Sequence, residues 1–109
     1  MREIPYEPDP RITRAVFRAI DDVNQMLPQE YWLEKSHETP ILGATALLDS
    51  MGFVNLLAAV EDRITAEFGI SFSLLGREAG VQREVFNTLG TLAAYITRVV
   101  LPSVDHSTR

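Results

Sequence analysis

Cysteine is absent from this 109-residue chain. That removes disulfides, thiolate zinc sites and any cysteine nucleophile, and it fits a reducing compartment. Histidine is scarce: His37 falls in a loop stretch and His106 in the tail, each alone, so no metal site is expected. A phosphate-binding glycine loop, a dinucleotide fingerprint and an HExxH pair are all missing. Basic charge is also short. Ten Lys and Arg against fifteen Asp and Glu give a formal charge of −5, which argues against nucleic acid, whose phosphates call for a basic face. Basic protein partners or simple solubility fit better. The start, MREIPYEPDPR, has charges and prolines but no apolar core, and does not read as a signal peptide. Residues 41–60 carry only one charged side chain, Asp49, but Asp49 with Ser50, Gly52 and Asn55 would be costly in lipid. No membrane insertion is expected, and the location expected is cytoplasmic.

What is present is apolar residue in ordered patterns, 46% of the chain, enough for one domain with a core of its own. Pro5, Pro8 and the following Pro10 make residues 1–9 an extended leader. Asp9 before Pro10 is a helix start signal, and Ile12, Val16, Ala19, Ile20, Val23 and Leu27 recur at helical spacing up to Pro28. This predicts a first helix over 10–27. The long connection 28–49 is too apolar for a solvated linker, since Tyr31, Trp32, Leu33, Ile41, Leu42, Leu47 and Leu48 all call for cover. A second helix is predicted over Ser50–Phe68, with Val54, Leu57, Val60, Ile64 and Phe68 as its apolar stripe and Gly69 as its left-handed end. Residues 70–76 read as an extended loop, because no second strand exists for them to pair with. A short helix follows over 77–86. The last helix, capped or preceded by Thr88, ends at Pro102, before a flexible tail at 102–109. The fold expected is all-α: a small helical bundle over 10–101, three long helices plus one short, with a long loop between the first two, monomeric.

Two acidic pairs, Asp21-Asp22 and Glu61-Asp62, resemble catalytic carboxylates only on paper. Adjacent helical positions diverge by about 100°, so they do not converge on one substrate atom. Nothing else assembles a catalytic constellation, and no enzyme is expected. That leaves Asp49-Ser50 at the head of the second helix. Either residue suits a helix cap. A serine there also sets a hydroxyl beside unpaired N–H groups and the positive end of the helix dipole, a favourable place for an anionic phosphate.

The stretch LDSMGFVNLLAAVEDRI resembles the phosphopantetheine attachment segment of acyl carrier proteins. That family's motif is Asp-Ser followed by Leu or Met, then a helix of apolar pairs ending in acids. Here it corresponds to Asp49, Ser50 and Met51, then Val54, Leu56, Leu57 and Val60, then Glu61 and Asp62. A second segment, TLGTLAAYI at 88–96, is similar to the family's final-helix signature, and the order of elements over about 11–100 agrees. The resemblance implies an acyl or aminoacyl carrier in which Ser50 bears a 4′-phosphopantetheine arm taken from coenzyme A. The arm would hold cargo as a thioester. It implies as partners a phosphopantetheinyl transferase, an acyl or aminoacyl ligase, and acyltransferase or synthase enzymes. Asp49 would help position the transferase, and Met51, Gly52, Asn55, Glu61 and Asp62 would form the recognition surface.

Three features depart from the carriers of fatty acid synthesis. Acids appear late on the second helix, where Gly52 and Asn55 stand at its start. That helix is about a turn longer. Residues 71–87 are longer than the family usually needs. Together they point to a stand-alone carrier of a specialised biosynthetic pathway. The alternative is a non-modified helical interaction module in which Ser50 caps a helix.

Overall fold

A single aspartate launches the first helix. The computed structural model describes residues 8–42, 48–74 and 83–107, without the side chains of residues 83 and 103–107. Among them are three α-helices, α1 (Pro10–Asn24), α2 (Ser50–Phe68) and α3 (Leu89–Ser107), and two 3-10 turns at Gln29–Tyr31 and Arg83–Phe86. Asp9 stays extended ahead of Pro10 and accepts the Arg11 N–H at 2.8 Å. The Arg11 guanidinium closes on the same carboxylate and holds it below the ordinary carboxylate range. The Asp9 N–H donates to Thr97 Oγ1 at 3.0 Å, tying the start of α1 to α3.

The first helix ends three residues short of the expected Leu27. Met26 and Leu27 donate to the carbonyls of Val23 and Asn24, three residues back, so the chain tightens and leaves the α-helix. Asn24 has another task. Its buried amide donates to Leu33 O at 3.1 Å and accepts the Leu33 N–H at 2.8 Å, pinning the returning loop to the helix end. Leu27 still packs against the core from its turn.

The second helix begins and ends where the sequence places it. Gly69 adopts φ +67°, a conformation that side-chain-bearing residues rarely take, and its N–H closes on Thr65 O. The buried stripe is Leu56, Leu57, Val60 and Ile64; Val54, expected in it, is 42% exposed. α1 and α2 run antiparallel: Arg18 pairs with Glu67 at 2.7 Å, and Asp22 grips Arg63 through two bonds of 2.8 Å. The acid pair Asp21-Asp22 indeed diverges, Asp21 meeting Lys35 at 3.1 Å while its neighbour meets Arg63.

The loop after α1 behaves in two ways. Leu33 and Ile41 are buried as expected, but Tyr31 and Trp32 are about half exposed. Residues 37–42 then dock on the start of α3. Leu89 and Gly90 donate to the carbonyls of Thr39 and His37 at 3.0 and 2.8 Å, and Ile41 donates to Asn87 O at 2.9 Å. The only bridge-like pairing among the described residues is Pro40 with Thr88. Thr88 and Thr91 cap α3 reciprocally, each side-chain oxygen accepting the other's N–H. Residues 70–74 run extended without strand pairing, burying Phe72 and Leu74.

The predicted short helix over 77–86 lies mostly outside the described residues; its end is the 3-10 turn at Arg83–Phe86. The last helix does not stop at Pro102 but continues to Ser107. A proline inside a helix deletes one backbone bond and crowds the carbonyl four residues back, yet its own φ is helical, so it weakens a helix without forcing it to end. The core joins all three helices, from Ile12, Val16 and Ile20 through Leu57 and Ile64 to Leu92 and Ile96. The radius of gyration is 13.6 Å, close to the value of about 13 Å expected for this length. No described helix is long and apolar enough to cross a membrane.

Candidate functional site at the start of α2

Asp49, not Ser50, caps α2. Its backbone is extended, its Oδ1 accepts the Gly52 N–H at 2.8 Å, and its carbonyl accepts the Phe53 N–H at 2.9 Å. Ser50 is therefore the first helical residue and not the cap. Its side chain is exposed and makes no hydrogen bond among the described residues. The N–H groups of Ser50 and Met51 likewise have no partner among the described residues, and they lie with the positive end of the helix dipole beside the hydroxyl.

The helix period sorts the neighbours of Ser50. Val54 follows at i+4 and Glu61 seven residues later, so these three share a stripe. Glu61 turns to the loop after α2, where its Oε2 accepts the Leu74 N–H at 2.7 Å. It therefore has a structural task that the sequence reading, which gave it to partners, did not see. Met51, Asn55 and Asp62 form the adjacent stripe at spacings of four and seven, and all three are exposed. Met51 is 68% exposed. Val54 is the site neighbour that sequence reasoning missed; its i+4 spacing from Ser50 was the available signal.

Gly52 is half-buried under the entering chain. A Cβ there would stand 2.9 Å from Leu48 Cδ2, so its small size lets Leu48 close over the first turn. Phe53 sits edge-on to Phe86, ring centroids 5.7 Å apart, and fixes the head of α2 against the chain leading to α3. The result is a helix end with an apolar pair, Met51 and Val54, exposed next to a serine that makes no side-chain hydrogen bond among the described residues. No cluster of metal-ligating side chains occurs among the described residues. His37 instead packs edge-on to Phe17. Comparison with known protein families, characterised proteins and solved structures finds no match to this chain.

Proposed function

We propose that the chain is an acyl or aminoacyl carrier protein carrying a 4′-phosphopantetheine arm on Ser50. One observation carries the reading: the cap of α2 is supplied by Asp49, which leaves the exposed Ser50 hydroxyl without a hydrogen bond among the described residues at the helix N-terminus. The Asp-Ser-Met segment and its flanking helix pattern, similar to the attachment segment of carriers, supply the chemistry. The alternative module reading gave Ser50 the work of a cap, and Asp49 now does that work.

In this reading Ser50 Oγ attacks the β-phosphorus of coenzyme A, releasing 3′,5′-adenosine bisphosphate, while its proton passes to a base of the transferase. The resulting phosphodiester lies at the positive end of a 19-residue helix, where the Ser50 and Met51 N–H groups favour negative charge. Asp49 spends Oδ1 on the cap, and its Oδ2, which has no hydrogen bond among the described residues, would serve the transferase and its metal ion. Met51, Val54, Asn55 and Asp62 offer partner enzymes an open, weakly charged strip. When bound, the arm supplies a terminal thiol that carries acyl groups as thioesters. The chain itself performs no catalysis and works as a monomer, with loading and receiving enzymes of a specialised pathway as partners.

The test is intact mass after incubation with coenzyme A and a phosphopantetheinyl transferase of broad specificity, with Ser50→Ala in parallel. Gain of one phosphopantetheine by the wild type alone is expected. No gain, with that transferase and with the one from the source organism, would overturn the proposal.

A further inference from the structure

Trp32 is a costly residue to leave in water, yet the fold holds it there. The side chain is 47% exposed, and its indole N–H donates to Leu27 O at 3.0 Å, so the ring is fixed rather than free to tuck inward. The ring walls a surface groove of about 400 Å³ formed with Glu34, Ser36, Glu38, Thr39 and Pro40. The groove is built on a braced loop. Thr39 Oγ1 donates to Glu34 O at 2.8 Å, the Glu38 N–H donates to Ser36 Oγ at 3.2 Å, and Leu33 is locked to Asn24 from beneath.

Its charge is one-sided. Glu34 and Glu38 line it, no cation does, and neither carboxylate has a partner among the described residues. Four other carboxylates differ in this, although Glu30, Asp62 and Glu84 also lack a described ion pair. Asp9, Asp21, Asp22 and Glu67 are each matched by an arginine or lysine. Lys35, between the two glutamates in sequence, is drawn away to Asp21.

We infer that this groove is a docking site for an arginine-bearing segment of a partner protein, with the guanidinium stacked on Trp32 and shared between Glu34 and Glu38. An aromatic face attracts a cation through its quadrupole, and a planar guanidinium can lie on the ring while its N–H groups reach carboxylates at the edge. Lysine, a hydrated point charge, makes less use of the ring. Tryptophan, tyrosine and arginine are also the residues that concentrate at interface centres, and Tyr31, next to Trp32 in the chain, is 51% exposed. This inference is independent of Ser50 modification.

Trp32 is the chain's one tryptophan, so its fluorescence reports the groove directly. The unmodified full chain is titrated at low salt with a capped hexa-arginine peptide, and with hexa-lysine and a neutral glycine–serine peptide in parallel. Saturable change with hexa-arginine is expected, weaker with hexa-lysine and absent with the neutral peptide. Glu34→Gln with Glu38→Gln, which breaks no described bond, should weaken hexa-arginine binding by about tenfold. A charge-matched pair elsewhere, Glu84→Gln with Asp105→Asn, should change it by less than about twofold. Equal losses in the two doubles would reduce the effect to general attraction by a negative chain and overturn the inference. So would no saturable change, or hexa-lysine binding as tightly as hexa-arginine.

Discussion

Asp49 and Ser50 are neighbours with opposite relations to the fold. The Asp49 carboxylate satisfies a helix-end N–H that would otherwise lack a partner, so Asp49→Ala should cost about 1 kcal/mol. Ser50 gives the helix only its backbone, and Ser50→Ala should fall within about 0.5 kcal/mol of the wild type. Urea denaturation of the two variants separates them. Equal losses would mean that the serine hydroxyl shares the cap, and the free-handle reading would lose its main support. The distinction matters because the serine substitution also serves as the negative control for modification. A control that unfolds proves nothing, whereas one of unchanged stability isolates the hydroxyl. From sequence, the pair is legible as a helix start, but its division of labour is not. Asp and Ser are near-equal caps, and the one-residue difference in where α2 begins is decided by which side chain reaches the Gly52 N–H.

At the level of elements, the helix most dependent on its surroundings is α3. Its opening N–H groups are met by the loop carbonyls of Thr39 and His37, and the approach is close: a Cβ on Gly90 would lie 2.8 Å from His37 O and 3.0 Å from His37 Cβ. On helix propensity alone Gly90→Ala should gain up to about 1 kcal/mol. Here the backbone contact should reverse the sign and cost about 1–3 kcal/mol. A raised melting temperature would show that the loop does not press on α3. The same loop explains where sequence patterns succeed and fail. α2 is legible at both ends because its signals are local: an Asp-Ser start and a glycine that alone tolerates φ +67°. The end of α1 is not, because it is set by Asn24 reaching Leu33, nine residues away. Tyr31 and Trp32 look like core in a hydropathy pattern, yet a local turn and the Trp32–Leu27 bond place them outside. Val54 misled for a related reason, since a helix stripe read without its neighbours shows spacing and not which face is covered. Pro102 does not stop α3, because proline penalises a helix by about 3 kcal/mol rather than forbidding one.

Across the whole molecule, the charges between α1 and α2 encode their direction. Each helix carries a cation and then an anion four residues on: Arg18 and Asp22 in α1, Arg63 and Glu67 in α2. Antiparallel packing brings Arg18 to Glu67 and Asp22 to Arg63, both at ion-pair distance. Parallel packing would set cation against cation and anion against anion, which opposes the wrong arrangement as well as favouring the right one. Hydrogen bonding from Arg63 holds the Asp22 carboxyl below its ordinary value of 3.8, and Asp22 in turn raises Arg63. With the folded pKa depressed, this stabilisation is present above the unfolded carboxyl's pKa and is lost as pH falls through the folded one. Near neutral pH, Asp22→Arg alone faces Arg63 with a like charge, and Arg63→Asp alone does the same to Asp22. Each should lower the melting temperature, and the two together should restore most of it, since the reversed pair can form in the same place. In acid, once the carboxyls are protonated, the wild type should lose this advantage and Arg63→Asp should lose its repulsion, so those two curves should approach each other as pH falls through the lowered Asp22 pKa. Losses that simply add in the double variant would place the stability of this interface in the apolar stripe alone, and the charge order would then have no part in setting the direction of the helices.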